Sequence, residues 1–250
     1  MTLNWLESYN LLTLDKIDST SAEAQRLARS SAEEDYVIIS KEQSAGKATK
    51  GREWDSKPGN LYSSILISSK LGLERIPELS FLVANAVYDA ITSLAISQEV
   101  ELDIKLKWPN DVLINGKKTA GILLESIFVK DRHYVMIGIG VNLLHAPNHL
   151  NCPVTSLFDE GVHPGGAREF LNSLMTNFHR LYSGWLSDNN FAKTRSDWMG
   201  RAYNLNKVIT IDDGLRRTSG VFKEISFDGS MVMQLASGQF CSLASGEIEL

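Results

Sequence analysis

The sequence predicts an α+β protein: a mixed or antiparallel sheet packed with helices, followed by a small C-terminal β-barrel. Three observations carry this. Residues 78–96 place Leu79, Leu82, Val83, Ala86, Val87, Ala90 and Ile91 at helical spacing. Apolar and β-branched runs at 36–40, 61–68, 104–108, 112–114, 119–129 and 134–143 read as strands. After about residue 200 the runs shorten to 207–211, 217–222, 230–235 and 239–243, punctuated by Asp213-Gly214, Asp228-Gly229 and Ser237-Gly238, the texture of a small barrel. The expected domains are therefore 1–200 and 201–250.

In chain order, Asp18-Ser19-Thr20 precedes a helix over 21–31, with Thr20 and Glu23 spaced as a capping box that satisfies orphan amides at the helix start. Between the strands at 36–40 and 61–68, Gly46, Gly51, Pro58 and Gly59 mark a long loop, and a loop of that length inside a compact domain is usually functional. Asn115-Gly116 joins two strands as a type I′ hairpin, because both turn positions need positive φ, and it sets Lys117 and Lys118 at the start of the returning strand. Amphipathic helices are expected at 166–186 and 191–199.

A chain of 250 residues buries roughly 70% of its unfolded surface, so its core requires neither disulfide nor metal. At 43% hydrophobic and 22% charged residues, disorder is excluded. A net charge of −5 gives no overall field to attract nucleic acid or an anionic membrane, so basic sites must be local. The opening MTLNWLESYN lacks a basic region followed by an apolar one, and no uncharged apolar run of membrane-spanning length is seen; a cytoplasmic protein is expected. Cys152 and Cys241 have no partners at ligand spacing and are expected to be reduced and structural. His145 and His149 flank Pro147 in an expected loop, which is no metal-ligand pattern.

Residues 46–52, GKATKGR, hold three cations and no acid, a local anion site in an acidic protein. The segment is not a P-loop, because Arg52-Glu53 follows Gly51 where Lys and Ser/Thr are required. Gly138-Ile-Gly140-Val-Asn142 likewise lacks the third glycine of a dinucleotide fingerprint.

Taken together, Asp18-Ser19-Thr20, Gln43-Ser-Ala-Gly46 through Gly51-Arg52-x-Trp54, Lys107-Trp-Pro-Asn-Asp111, Lys118-x-Ala120-Gly121-Ile122-Leu123-x-Glu125, Gly138-x-Gly140-x-Asn142 and Ser245-Gly-Glu247-Ile248 form an ordered set. From about residue 12 to the C-terminus it resembles the bacterial biotin–protein ligases, of the monofunctional type. The resemblance implies a class II synthetase-like catalytic domain with a C-terminal SH3-like barrel. It also implies ATP-dependent activation of biotin to biotinyl-5′-AMP, with Mg²⁺, and transfer to a lysine of a biotin carboxyl carrier domain.

The implied roles follow the chemistry. A carboxylate must approach the α-phosphate of ATP, so cations have to offset the repulsion. Lys118 is expected to bridge carboxylate and phosphate, and Lys47, Lys50 and Arg52 to supply the charge of a loop that folds over the adenylate. Ser19, Thr20, Ser21 and Gln43 are expected on the biotin head group. Gly46, Lys47, Ala48, Thr49, Trp54, Gly121 and Gly140 would complete the biotin pocket, the last two by letting backbone approach the ligand. Trp108, Asn110, Asp111 and Asn142 are expected around the nucleotide, with Asp111 as the Mg²⁺ ligand.

Two departures stand out. The family's loop reads Gly-Arg-Gly-Arg-x-Gly-Arg, whereas Lys47, Ala48 and Thr49 replace its first arginine, second glycine and second arginine; Ser21 stands where asparagine is usual. The pattern starts within twenty residues of the first, so no N-terminal DNA-binding domain is expected. The alternatives are a lipoate– or octanoate–protein ligase, or a non-catalytic biotin- or nucleotide-binding module. Carrier identity and a homodimer stay open.

Overall fold

The computed structural model describes residues 5–69, 72–148, 152–188 and 191–248. Residues 1–4 of the opening segment and His149 of the histidine pair lie outside them. The larger sheet has seven strands, β1 (Asn10–Ile17), β2 (Tyr36–Gln43), β3 (Leu61–Ser69), β4 (Ile104–Lys107), β5 (Asp111–Ile114), β6 (Lys117–Val129) and β7 (Arg132–Val141), in the order β1-β2-β3-β7-β6-β5-β4. β1 runs parallel to β2 and the other neighbours are antiparallel, so the sheet is mixed. The sequence reading assigns nothing to β1. It is an edge strand whose leucines are only half-buried, so its alternation is weak.

The two faces of the sheet follow from the period-2 alternation of its strands. Val37, Ile39, Ile65, Ile67, Val135, Ile137 and Ile139 point into the main core, against α2 (Ile76–Ser97) and α3 (Ala167–Asp188). Ile38, Leu66, Tyr134 and Met136 point the other way, onto Ala24 and Ala28 of α1 (Thr20–Arg29). Along β7 that second face then changes from Tyr134 and Met136 to Gly138 and Gly140, which opens a hollow beside the start of α1. By length and composition α2 is apolar enough to cross a membrane, yet here it is a core helix with thirteen buried residues.

Asn115 (φ 51°) and Gly116 (φ 76°) form the expected left-handed turn between β5 and β6. A register shift between Val112 and Leu113 then pairs Leu113 with Lys118 and Asp111 with Gly121. After α4 (Ala192–Gly200) the chain forms β8 (Val208–Asp212), β9 (Arg217–Ile225), β10 (Met231–Gln234), β11 (Phe240–Leu243) and β12 (Glu247–Ile248), an antiparallel sheet in the order β11-β10-β9-β8-β12. This is the expected small C-terminal β-unit, with β12 too short to be read from sequence. Its Ile211, Phe222 and Ile248 belong to the same apolar cluster as α2 and the larger sheet. Trp108 Nε1 donates to the Gly229 carbonyl at 3.1 Å, pinning the turn after β4 to the C-terminal sheet.

Candidate active site

The hollow over Gly138 and Gly140 is a cavity of about 440 Å³, well within the range of small-molecule sites. The start of α1 forms one wall. Ser19, not Thr20, is the N-cap: its Oγ accepts from the Ala22 amide at 3.4 Å, and Glu23 pairs with Arg26. Asp18 makes a two-pronged bond to Arg26 (2.9 and 2.8 Å), which holds its carboxyl down at about 2. The N-cap thus falls one residue before Thr20 and the expected capping box does not form, since Ala22 stands at N3 and the Ser19 amide donates to Asp18; Thr20 is released for another task.

That task is a polar network. Gln43 Oε1 accepts from the Thr20 amide (2.7 Å) and hydroxyl (3.1 Å); Ser64 Oγ donates to Thr20 Oγ1 (2.9 Å) and sits 3.2 Å from Ser21 Oγ. Gln43 Nε2 donates to Ser56 Oγ (2.8 Å), which donates to the Trp54 carbonyl (2.7 Å). The helix start and the basic loop are therefore wired together through Gln43. Ser56 and Ser64 carry no motif of their own, so sequence reasoning missed them.

The loop is a tight ribbon: Lys47 bridges to Glu53, the Ala48 amide donates to the Arg52 carbonyl (2.8 Å), and Lys50 and Gly51 turn its tip at φ 58° and 70°. Lys47, Ala48, Thr49 and Arg52 face the cavity. Gly46 and Lys50 do not. A Cβ on Gly46 would come within 2.5 Å of Ser56 Oγ and the Trp54 carbonyl, so that glycine serves the packing of the loop. Lys50 instead lies 3.4 Å from Glu247 of β12, which also accepts from Arg52 Nη1 at 3.1 Å. Burial pushes the Glu247 carboxyl up, but these two cations outweigh it and leave it below the usual range. Glu247 lines the cavity, although only its motif, not its role, was legible.

Trp54 forms the cover. Its indole lies on the backbone of β6 and β7, where a Cβ on Gly121 would come within 2.8 Å of the ring and one on Gly140 would collide with it. The expected close approach at these glycines is thus made by Trp54. Trp54 Nε1 is buried without a partner beside the cavity, a donor of the kind that a bound ligand satisfies.

The far wall is β4–β6. Lys118 Nζ lies 2.5 Å from Asp111 Oδ1 and 5.5 Å from the centre of the Trp54 ring. Asn110 and Asn142 line the cavity, but their amide nitrogens are committed to the carbonyls of Ile122 (2.6 Å) and Thr155 (3.1 Å). Trp108, expected on the nucleotide, is absent from the lining; it is 2% exposed and core. Lys107 takes its place in the wall, and burial pushes its ammonium pKa down against the pull of Asp111. Cys152, expected to be merely structural, also borders the cavity. Among the described residues no cluster of three His, Cys, Asp or Glu could hold a metal. Asp111, the expected Mg²⁺ ligand, is bonded to Lys118 and would offer such an ion a single carboxylate.

Residues 14–142 match the biotin/lipoate A/B protein ligase family. The chain is 36% identical over 232 residues to the biotin–[acetyl-CoA-carboxylase] ligase of Paracoccus denitrificans, covering 90% of this chain and 95% of that protein. It is 30% identical over 250 residues to the bifunctional ligase/repressor BirA of Bacillus subtilis, covering 96% and 74%. Its fold matches the biotin protein ligase of Aquifex aeolicus in complex with biotin and ATP, with a TM-score of 0.78, 24% identity and coverage of 96% and 97%. The chain belongs to the biotin/lipoate A/B protein ligase family.

Proposed function

We propose that the chain is a biotin–protein ligase, which activates biotin with ATP to biotinyl-5′-AMP and passes biotin to the lysine of a biotin carboxyl carrier domain. The observation that carries this is one cavity with a neutral hydroxyl and amide network at one end and Lys118, beside Asp111, at the other. Ser19, Thr20, Ser21 and Gln43 suit a neutral ureido ring. Trp54 covers the apolar stretch between.

In the first step a biotin carboxylate oxygen bonds to the α-phosphorus and pyrophosphate leaves. Lys118 holds the incoming carboxylate and the α-phosphate together, exchanging its bond to Asp111 for one to the reacting anion. Asp111, so released, would be the residue to hold a Mg²⁺ ion, which would supply charge neutralisation of the phosphates. In the second step the carrier amine attacks the acyl carbon, losing a proton, and AMP leaves. Lys47 and Arg52 hold the loop over the mixed anhydride and keep water from it.

In this reading residues 1–200 form the catalytic domain and 201–250 a C-terminal domain that contributes Glu247. In the same reading the enzyme works in the cytoplasm. β1, at one edge of the larger sheet, is where a homodimer would pair, since the outer side of β4 is covered by residues 201–203, with the Leu106 amide donating to the Arg201 carbonyl. Incubation with ATP, Mg²⁺, an apo carrier and either biotin, lipoate or octanoate, followed by weighing the carrier, tests the assignment. A mass gain with biotin supports it; a gain only with lipoate or octanoate, or none, sinks it.

A further inference from the structure

Lys107 ends β4 with its side chain 5% exposed and turned to the cavity. Among the described residues it has no hydrogen bond or ion pair. The carboxylate opposite it in the β4–β5 register, Asp111, is taken by Lys118. Of the other cavity cations, Arg52 is paired with Glu247 and Lys118 with Asp111, while Lys47 is half-exposed. A buried ammonium whose neighbouring carboxylates, Asp111 and Glu247, are each bonded to another cation is costly to keep, and in a cleft such a group marks a binding or reacting site.

The topology specifies what it waits for. β5 lies between β4 and β6; Lys107 pairs with Asp111 and Lys118 with Leu113, so the backbones of the two lysines lie two strand spacings, roughly 10 Å, apart across the sheet and are further offset along the strands. Two cations so divided suit an anion with several phosphates better than one carboxylate. We propose that Lys107 is a further catalytic residue, whose ammonium binds the β- and γ-phosphates of the nucleotide while Lys118 holds the α-phosphate and the carboxylate. This deepens the ligase reading and rests on it. As the carboxylate oxygen bonds to the α-phosphorus, the bond from that phosphorus to the bridging oxygen breaks. The electron pair departs on pyrophosphate, and Lys107 neutralises it there.

The two half-reactions separate the idea from a structural role. Lys107→Met keeps the buried methylene stem and removes the charge. Formation of biotinyl-AMP from ATP is expected to fall about 100-fold, while transfer from supplied biotinyl-AMP to the apo carrier stays within about threefold of the parent. Lys107→Arg, which keeps the cation, guards against misfolding of the first variant. Its KM for ATP is expected to rise at least about fivefold with the KM for biotin within about twofold. Retained adenylation in Lys107→Met, an equal loss in both half-reactions, or an arginine variant altered only toward biotin would overturn the proposal. A parent protein that forms no biotinyl-AMP would overturn the ligase reading, and this inference with it.

Discussion

Glu247 of the C-terminal sheet accepts a hydrogen bond from Arg52 of the basic loop at 3.1 Å, with Lys50 3.4 Å away. These charges are half-exposed, so the pair adds at most about 1 kcal/mol to stability. Its consequence lies in position, because a β12 side chain fixes the lid. Glu247→Gln is expected to leave the melting temperature within about 2 °C but to speed release of biotinyl-AMP about fivefold. Stopped-flow release with labelled adenylate would measure it, and an unchanged off-rate counts against a latch. The pH dependence has a definite sign. The folded carboxyl is held below its unfolded value of about 4.3, so the latch is intact above that value and is lost as pH falls through the folded one.

Gly140 and Trp54 make a second pair whose failure is predictable. A methyl group on Gly140 would collide with the indole, and moving backbone or ring costs about 1–3 kcal/mol. Gly140→Ala is expected to displace Trp54, shift its fluorescence and raise the KM for biotin at least about tenfold, with the fold retained. An unshifted emission spectrum with an unchanged KM would show that the ring does not depend on this glycine.

Lys118 should matter to both half-reactions, since the α-phosphate and the carboxyl carbon stay beside it throughout. Lys118→Met is expected to slow adenylation about 100- to 1,000-fold and also to slow transfer from supplied biotinyl-AMP. Rapid-quench assays of each step decide this. A loss confined to adenylation would move the transfer role elsewhere on the wall.

Much of this was legible because it depends on local rules. Asn115-Gly116 announces its turn, and that turn starts the strand that carries Lys118 toward Asp111. The Asp-Gly and Ser-Gly turns likewise announce the C-terminal strands. What was illegible depends on distance in sequence. Thr20 looks like a cap until Gln43, twenty-three residues away, claims its hydroxyl. Trp108 looks like a ligand platform until Gly229 takes its indole proton. Lys107 stood inside the recognised motif, yet only burial of its side chain, with Asp111 already taken by Lys118, gives it a task.

The departures at Lys47 and Thr49 lead to the last prediction. Lys47 Nζ is 3.9 Å from Glu125, too far for a firm bond, and Thr49 Oγ1 does no more than accept from Arg52 at 3.4 Å. A lysine ammonium is a point charge, whereas a guanidinium grips a phosphate with two parallel bonds. Both positions face the cavity, so Lys47→Arg with Thr49→Arg adds one cation and two forks without touching the core. Slower release of biotinyl-AMP is expected, by about tenfold for roughly 1.4 kcal/mol of added charge-assisted bonding. The melting temperature without ligand should barely move, because both side chains stay in water until the anion arrives. Equal release rates in the parent and the double variant would mean that Trp54 and Glu247, not loop charge, set how long the adenylate is kept.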